Sequence, residues 1–401
     1  MEPMPFLTGA ITSRHGEPGR HARPVFLLMT STTPLKLCIV TPCHWAALFG
    51  GAEYQIRCLL DVMLRERSFD IHYLARHLKP GFTPEGYSTH HVGRNGSRPH
   101  YNQIFDAARI HATLKKLQPD VIYQRVGGAY TGISALYARQ TGCRMVWHVS
   151  SDKDVTPFRP EMSKDIALRY LEKLSLEYGV RNSSDIIVQT EQQADALARH
   201  YQREATAIIA NFHPDPAPQI DKKGEIEIVW IANFKPLKQP ELFVRLAREM
   251  DTVPGVRFTM IGRCGAKRRR QLEKESSAIQ SLNYIGSHSF DEINRILSKA
   301  HILVNTSRYE GFPNTFIQAW QNEVPVVSLN VNPDNVLTKH GIGFPCANDF
   351  EQLVRKVRLL VKNEELRTSM GRKARRYALE HHSEKNAERI IHLIEEGAAH
   401  E

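Results

Sequence analysis

A carboxylate on a glycine-proline loop opens a helical segment in the second half of the chain, Glu310-Gly311-Phe312-Pro313-Asn314-Thr315-Phe316-Ile317-Gln318-Ala319-Trp320. The apolar run Ala300-His301-Ile302-Leu303-Val304-Asn305-Thr306 before it reads as a buried strand, and Glu323-Val324-Pro325-Val326-Val327 after it as another. A loop between a strand end and a helix start exposes backbone amides at the positive end of the helix dipole, a place to bind a diphosphate. The plainer role for Glu310 is an acid that complements that dipole. A second loop, Ile231-Ala232-Asn233-Phe234-Lys235-Pro236-Leu237-Lys238-Gln239-Pro240, also joins a strand to a helix. Its two lysines either face a diphosphate in a cleft or are solvated loop residues.

Three weaker features lie in the first half. Gly50-Gly51-Ala52-Glu53 follows the first strand and opens a helix, so Gly50 and Gly51 allow backbone approach to a phosphate or simply make a tight turn. The pair is not a G-x-G-x-x-G, so the nicotinamide and flavin fingerprint is absent. His148 ends the strand Arg144-Met145-Val146-Trp147, and a lone histidine is more often structural. Asp152 and Asp154 are acids without a clear partner, and Arg125 with Gly127-Gly128 either faces an acceptor or, the plainer reading, lies on an exposed loop.

The elements that position these residues alternate strand and helix throughout, which argues for parallel sheets covered by helices on both faces. Strands are expected at 35–41, 70–74, 121–124, 145–149, 186–189 and 207–210, with helices such as 53–65, 103–117 and 162–181 between them. A polar, proline-bearing stretch at 213–224 has linker composition. The rhythm restarts with strands at 226–232, 258–261, 282–285, 302–306 and 326–329. Helices follow at 241–250, 268–278, 290–299, 315–321, 350–362, 364–381 and 384–396. The fold class is α/β, two doubly wound, Rossmann-like domains facing a cleft, at 35–212 and 225–380, where ligands sit at the carboxyl ends of strands.

The length of 401 residues favours two domains over one core. Hydrophobic residues at 41% and charged residues at 24% are ordinary for a globular protein, and no apolar run spans a bilayer. Residues 1–34 read as a disordered tail, since Val25-Phe26-Leu27-Leu28-Met29 is short and too far in for a signal peptide. Six scattered cysteines form no C-x-x-C pair, which fits a reducing cytoplasm rather than a zinc or disulfide framework. The net charge of +10 includes clusters at Lys267–Arg270 and at Arg372, Lys373, Arg375 and Arg376. These read as solvated helix faces, and a basic surface also suits an anionic membrane or phosphate-bearing substrate. No nucleic-acid motif is present.

The loop at 310–320 resembles the signature of the family 4 glycosyltransferases, a Glu and, after seven residues, a second acid, here replaced by Gln318. Lys238 matches the family's lysine in the 231–242 loop, while Asn233 stands where the family has arginine, and Lys235 is the nearby substitute. The resemblance covers roughly residues 35 to 395 and implies the two-domain GT-B architecture, with a terminal helix at 381–401 crossing back to the first domain. It implies that Glu310 bonds donor-sugar hydroxyls and that the amides of Asn314 and Thr315 cradle the phosphates. It also implies that His148 approaches the sugar, and that Gly50 and Gly51 face the diphosphate and acceptor. Asn211 resembles an asparagine with a structural role before the linker. Gln318 either contacts ribose or, in Thr315-x-x-Gln318, bonds back to a backbone amide as a capping box.

The expected activity is retaining transfer of a sugar from a nucleotide-diphosphate sugar to a glycan or lipid-linked acceptor, independent of metal and cofactor. The expected setting is surface polysaccharide biosynthesis in the cytoplasm, with peripheral, salt-sensitive membrane association. A sugar-nucleotide epimerase of related architecture, a pyridoxal-phosphate phosphorylase and a non-catalytic partner protein are the alternatives. The chain is short for the phosphorylase, and Asn233 and Gln318 are the features that favour the non-catalytic reading.

Overall fold

The computed structural model describes residues 34–47, 50–66, 69–94, 102–157, 166–215, 220 and 222–396. Residues 1–33 of the expected tail, Phe49 and linker residues 216–219 and 221 lie outside that set. The first half contains β1 (Leu35–Cys43), α1 (Gly51–Glu66), β2 (Phe69–His77), β3 (Ser88–His91), α2 (Ala107–Leu117), β4 (Val121–Arg125) and α3 (Ala129–Thr141). β5 (Arg144–His148), α4 (Ile166–Asn182), β6 (Asp185–Val188), α5 (Glu191–Tyr201) and β7 (Ala207–Ile208) complete it. Its seven strands form one parallel sheet in the order β3-β2-β1-β4-β5-β6-β7.

The second half contains β8 (Ile226–Ile231), α6 (Pro240–Met250), β9 (Val256–Ile261), α7 (Ala266–Ser277), β10 (Leu282–Tyr284), α8 (Phe290–Leu297), β11 (Ile302–Asn305) and α9 (Asn314–Gln321). β12 (Val326–Ser328), α10 (Val336–Lys339), β13 (Gly343–Pro345), α11 (Phe350–Lys362), α12 (Glu364–His381) and α13 (Lys385–Glu396) follow. Its six strands pair in parallel as β10-β9-β8-β11-β12-β13. Two strands, β3 and β13, were not expected from the sequence: Ser88-Thr89-His90-His91 is polar, and Gly343-Phe344-Pro345 contains the two residues least suited to a strand.

Period-two alternation places Leu37 and Ile39 of β1 in one core, under α1, and Cys38 and Val40 in another, under α2 and α3. In the second sheet Ile228 and Trp230 face α6 and α11, while Val229 faces α9 and α12. α13 leaves the second half and buries Ala387, Ile390, Ile391 and Ile394 in the core beneath α1. Arg144 fastens it by donating to the Leu393 carbonyl at 2.6 Å.

A buried ion pair ties β2 to the segment before α2. Arg76, at the end of β2, pairs with Asp106 at 2.6 Å, both at most 1% exposed. The Tyr130 hydroxyl of α3 donates to the same Asp106 oxygen at 2.6 Å, and Arg76 also donates to the Asn102 carbonyl at 2.8 Å. The strand order reverses between β1 and β4 in the first sheet and between β8 and β11 in the second. Loops leaving such strand pairs open in opposite directions and leave a crevice at their carboxyl ends.

Candidate active site

Loops from both switch points line one cavity of about 780 Å³. The loops after β1 and β4 supply Gly50, Gly51, Glu53, Arg125 and Val126. Those after β8 and β11 supply Asn233, Lys235, Lys238, Tyr309 and Glu310, and α9 adds Asn314, Thr315 and Gln318. The structure thus brings together every sequence-predicted site residue except His148.

Glu310 is held from two sides. Its Oε2 accepts from Lys238 Nζ at 2.7 Å and its Oε1 from Asn305 Nδ2 at 3.0 Å. Burial pushes its carboxyl upward, but the Lys238 ammonium and the bonds from Lys238, Ser307 and Asn305 outweigh that and hold it below the usual carboxylate range. It is therefore ionised at neutral pH. A carboxylate has about four acceptor positions, so these three bonds leave room for a ligand hydroxyl. The two loops are locked to each other by Thr306, whose hydroxyl meets the Lys238 carbonyl at 2.6 Å and receives Trp230 Nε1 at 2.9 Å. Arg308 N also donates to the Leu237 carbonyl at 3.0 Å.

The start of α9 is built differently from a capping box. Its N-cap is Pro313, with no side-chain cap. Gln318 is 1% exposed, lines the cavity and donates through Nε2 to Asn294 Oδ1 at 3.3 Å, so the capping role is set aside. Asn314 turns its side chain across to the first half, donating to the Gly51 carbonyl at 2.8 Å and accepting from Gln55 Nε2 at 3.1 Å. Lys235 is exposed at the cavity mouth.

Gly50 and Gly51 lie close to side chains of the protein itself. A Cβ at residue 50 would stand 2.2 Å from Glu53 Oε2, and one at residue 51 would stand 3.0 Å from Asn314 Nδ2. Glu53, in the first turn of α1, is 5% exposed, and burial raises its pKa despite its own backbone bond, Lys235 and Arg125. An acid raised on folding costs stability when ionised. The cost is absent below its ordinary value of 4.5, grows as pH rises through the raised folded value, and is constant above it. Glu53→Gln is accordingly expected to raise the melting temperature at pH 8 by about 2–4 °C, the response to roughly 1 kcal/mol in domains of this size, with the gain vanishing below pH 4. Thermal melts of both proteins across that range check it, and a gain that persists unchanged in acid refutes the assignment.

His148 is 1% exposed and is absent from the cavity wall. The Tyr123 hydroxyl at 2.8 Å and Arg125 Nη1 at 3.4 Å both meet its Nδ1. Burial, with Arg125 beside it, lowers its pKa far below the usual range, so the ring is neutral. With Nδ1 accepting, its proton sits on Nε2. Arg125 itself corrects the expectation of an exposed loop, being 1% exposed with Nη2 at 2.5 Å from Asn211 Oδ1. Asn211 in turn donates to the Phe312 carbonyl at 2.9 Å, so it joins the two halves at the cavity. Asp154 has partners after all, accepting from Ser150 N, Ser150 Oγ and Ser151 N at 2.9–3.0 Å, and Asp152 accepts from Gln193 at 2.9 Å. His213, expected in a solvated linker, is 1% exposed, with its amide bonded to the His382 carbonyl at 3.0 Å.

Arg263, in the loop after β9, also lines the cavity. Its amide donates to Asn233 Oδ1 at 3.3 Å, so an arginine stands beside the position where the resemblance leads one to expect one. No described helix is long and apolar enough to cross a membrane.

Residues 213–377 match the family model described as glycosyl transferases group 1. An uncharacterized glycosyltransferase of Methanocaldococcus jannaschii is 22% identical over 207 residues, covering 50% of this chain and 56% of that protein. The chain spans about half the length of the curated relatives it matches. Among solved structures, sucrose-phosphate synthase from Thermosynechococcus elongatus superposes with a TM-score of 0.74 at 15% identity, covering 92% of this chain and all of that one. Anabaena HepE in complex with UDP and glucose gives 0.67 at 14% identity, covering 90% and 100%. Residues 213–377 thus match the group 1 glycosyl transferase model, in a chain that shares the GT-B fold of two facing parallel sheets with these structures.

Proposed function

We propose that the chain is a retaining glycosyltransferase that moves a sugar from a nucleoside-diphosphate sugar to a hydroxyl of a glycan or lipid-linked acceptor. The observation that carries this reading is the Lys238–Glu310 pair at 2.7 Å, set beside the N-terminus of α9 in the shared cavity. The bond from the anomeric carbon to the diphosphate oxygen breaks, and a bond from that carbon to the acceptor oxygen forms on the same face. The acceptor proton goes to the departing phosphate. Lys235, Lys238 and the amides of Asn314 and Thr315 stabilise the charge that builds on the leaving diphosphate, which lets the reaction run without a metal ion. Glu310 bonds the sugar hydroxyls, and Gln318 offers a ribose contact. His148, neutral and behind the wall, positions Arg125 rather than touching the sugar. A HepE structure in complex with UDP and glucose supports a nucleotide-sugar donor for this fold.

Titrating UDP, GDP, ADP and dTDP into the protein by calorimetry tests the reading. One nucleotide should bind selectively and lose about tenfold to a hundredfold in affinity in Lys238→Ala, since charge-assisted hydrogen bonds contribute about 1.5–3 kcal/mol. No binding by any of the four refutes it. Surface polysaccharide biosynthesis, a cytoplasmic location and peripheral docking on anionic lipid complete the proposal, supported by the net charge of +10. Flotation with anionic vesicles that is insensitive to salt would count against the docking.

A further inference from the structure

We infer that Arg125 is the centre of a second anion subsite, on the first-sheet wall, that takes a phosphate or carboxylate carried by the acceptor. The inference rests on the glycosyltransferase reading and narrows its acceptor class. Arg125 is 1% exposed yet reaches the cavity wall. Its contacts, the Asn211 amide oxygen, His148 Nδ1 and the Tyr123 hydroxyl, are all neutral, and its Nε–H is buried without a partner. A guanidinium has five N–H donors and is always charged, and a buried cation without an acid is costly unless a ligand supplies the anion. Among the described residues Arg125 makes no ion pair, in contrast to Arg76, which is equally buried and has Asp106.

The backbone beside it points the same way. Val126, the next residue on the cavity wall, has φ of 75°, a conformation that a β-branched residue adopts only under constraint. Gln124 supplies the constraint, its Nε2 donating to the carbonyls of Arg125 and Val126, each at 2.9 Å. Asp154 accepts from Gly127 N at 3.4 Å on the far side. The loop is thus held in a strained form that fixes the guanidinium before any ligand arrives. The donor diphosphate has its own cations, Lys235 and Lys238, after β8 on the other sheet. Glu53 lies within the field of both Lys235 and Arg125 but forms an ion pair with neither among the described residues, and burial disfavours its charged form, so it does not serve as the counter-ion of Arg125.

Inorganic phosphate, titrated into protein saturated with the nucleoside diphosphate it binds, is the probe. Wild type should take up one phosphate, Arg125→Gln should weaken that uptake by at least about tenfold, and Arg125→Lys, which keeps the charge but not the fork, should restore it only in part. Nucleotide affinity should be the same in wild type and Arg125→Gln. Equal phosphate uptake in Arg125→Gln overturns the subsite, and a fall in nucleotide affinity in that variant reassigns Arg125 to the donor. If wild type binds no nucleotide, the donor reading fails by itself. Phosphate uptake lost in Arg125→Gln and kept in Lys238→Ala would then still uphold the subsite. Should Arg125→Gln not fold, Asn211→Asp takes its place, since a carboxylate beside the guanidinium competes with phosphate and should weaken uptake as strongly.

Discussion

Glu310→Gln is expected to lower sugar transfer by about a hundredfold to a thousandfold, as does removal of a single preorganised polar group that stabilises a transition state, while the nucleoside diphosphate still binds. The substitution keeps the shape and one carbonyl acceptor and removes the charge. Lys238 and Asn305 hold the carboxylate with its remaining lone pairs towards the cavity. A hydroxyl bonded to a full carboxylate is held about twice as strongly as one bonded to an amide. Steady-state rates with the full donor, beside calorimetry with the nucleotide alone, separate the two effects. Turnover within about threefold of wild type would reduce Glu310 to a partner that orients Lys238.

Asp106→Ala is expected to cost about 3–5 kcal/mol, the penalty for leaving one member of a buried ion pair without its counter-charge. Against a total stability on the order of 5–15 kcal/mol, that brings the first half close to unfolding at growth temperature. The loss extends to Tyr130, whose hydroxyl uses the same oxygen. Replacing both charges, as Arg76→Met with Asp106→Leu, should recover most of the loss, because the expensive state is the lone charge and not the missing bridge. Denaturant melts of the single and double variants decide the matter. A double variant no more stable than Asp106→Ala would show that the pair contributes net stability through its hydrogen bonds to Asn102 and Tyr130.

Much of this was legible in the chain, for identifiable reasons. The apolar runs around Leu35–Thr41 and Ile302–Thr306 are long enough for period and composition to fix them as buried strands, and the loops that follow them carry the site. Phe350–Lys362 and Glu364–His381 were readable to the residue because their apolar stripes and polar caps agree. Glu310, Lys238, Asn314 and Gln318 stood out because loop, glycine and helix start coincide in the sequence. Arg125, Glu53 and Arg263 did not, because their significance comes from neighbours far along the chain. Arg125 is judged by Asn211, 86 positions away, and Arg263 by the adjacency of β9 to β8. The surroundings of His148 come from the same kind of contact: its Nδ1 meets the Tyr123 hydroxyl and Arg125 Nη1, from a strand 23 to 25 positions earlier.

The placement of α13 bears on how the protein is made. The face of α1 that carries Leu59 and Met63 shares its core with Ile390, Ile391 and Ile394. On the ribosome those residues emerge only after the whole group 1 domain, so the first half waits with part of its apolar surface open while the second is synthesised. At about 5–20 residues per second the interval is on the order of ten seconds or more, long enough for a chaperone to engage the uncovered helix. A chain cut at 212 would keep its sheet and lose this cover, and the first half is in this sense finished from both directions at once.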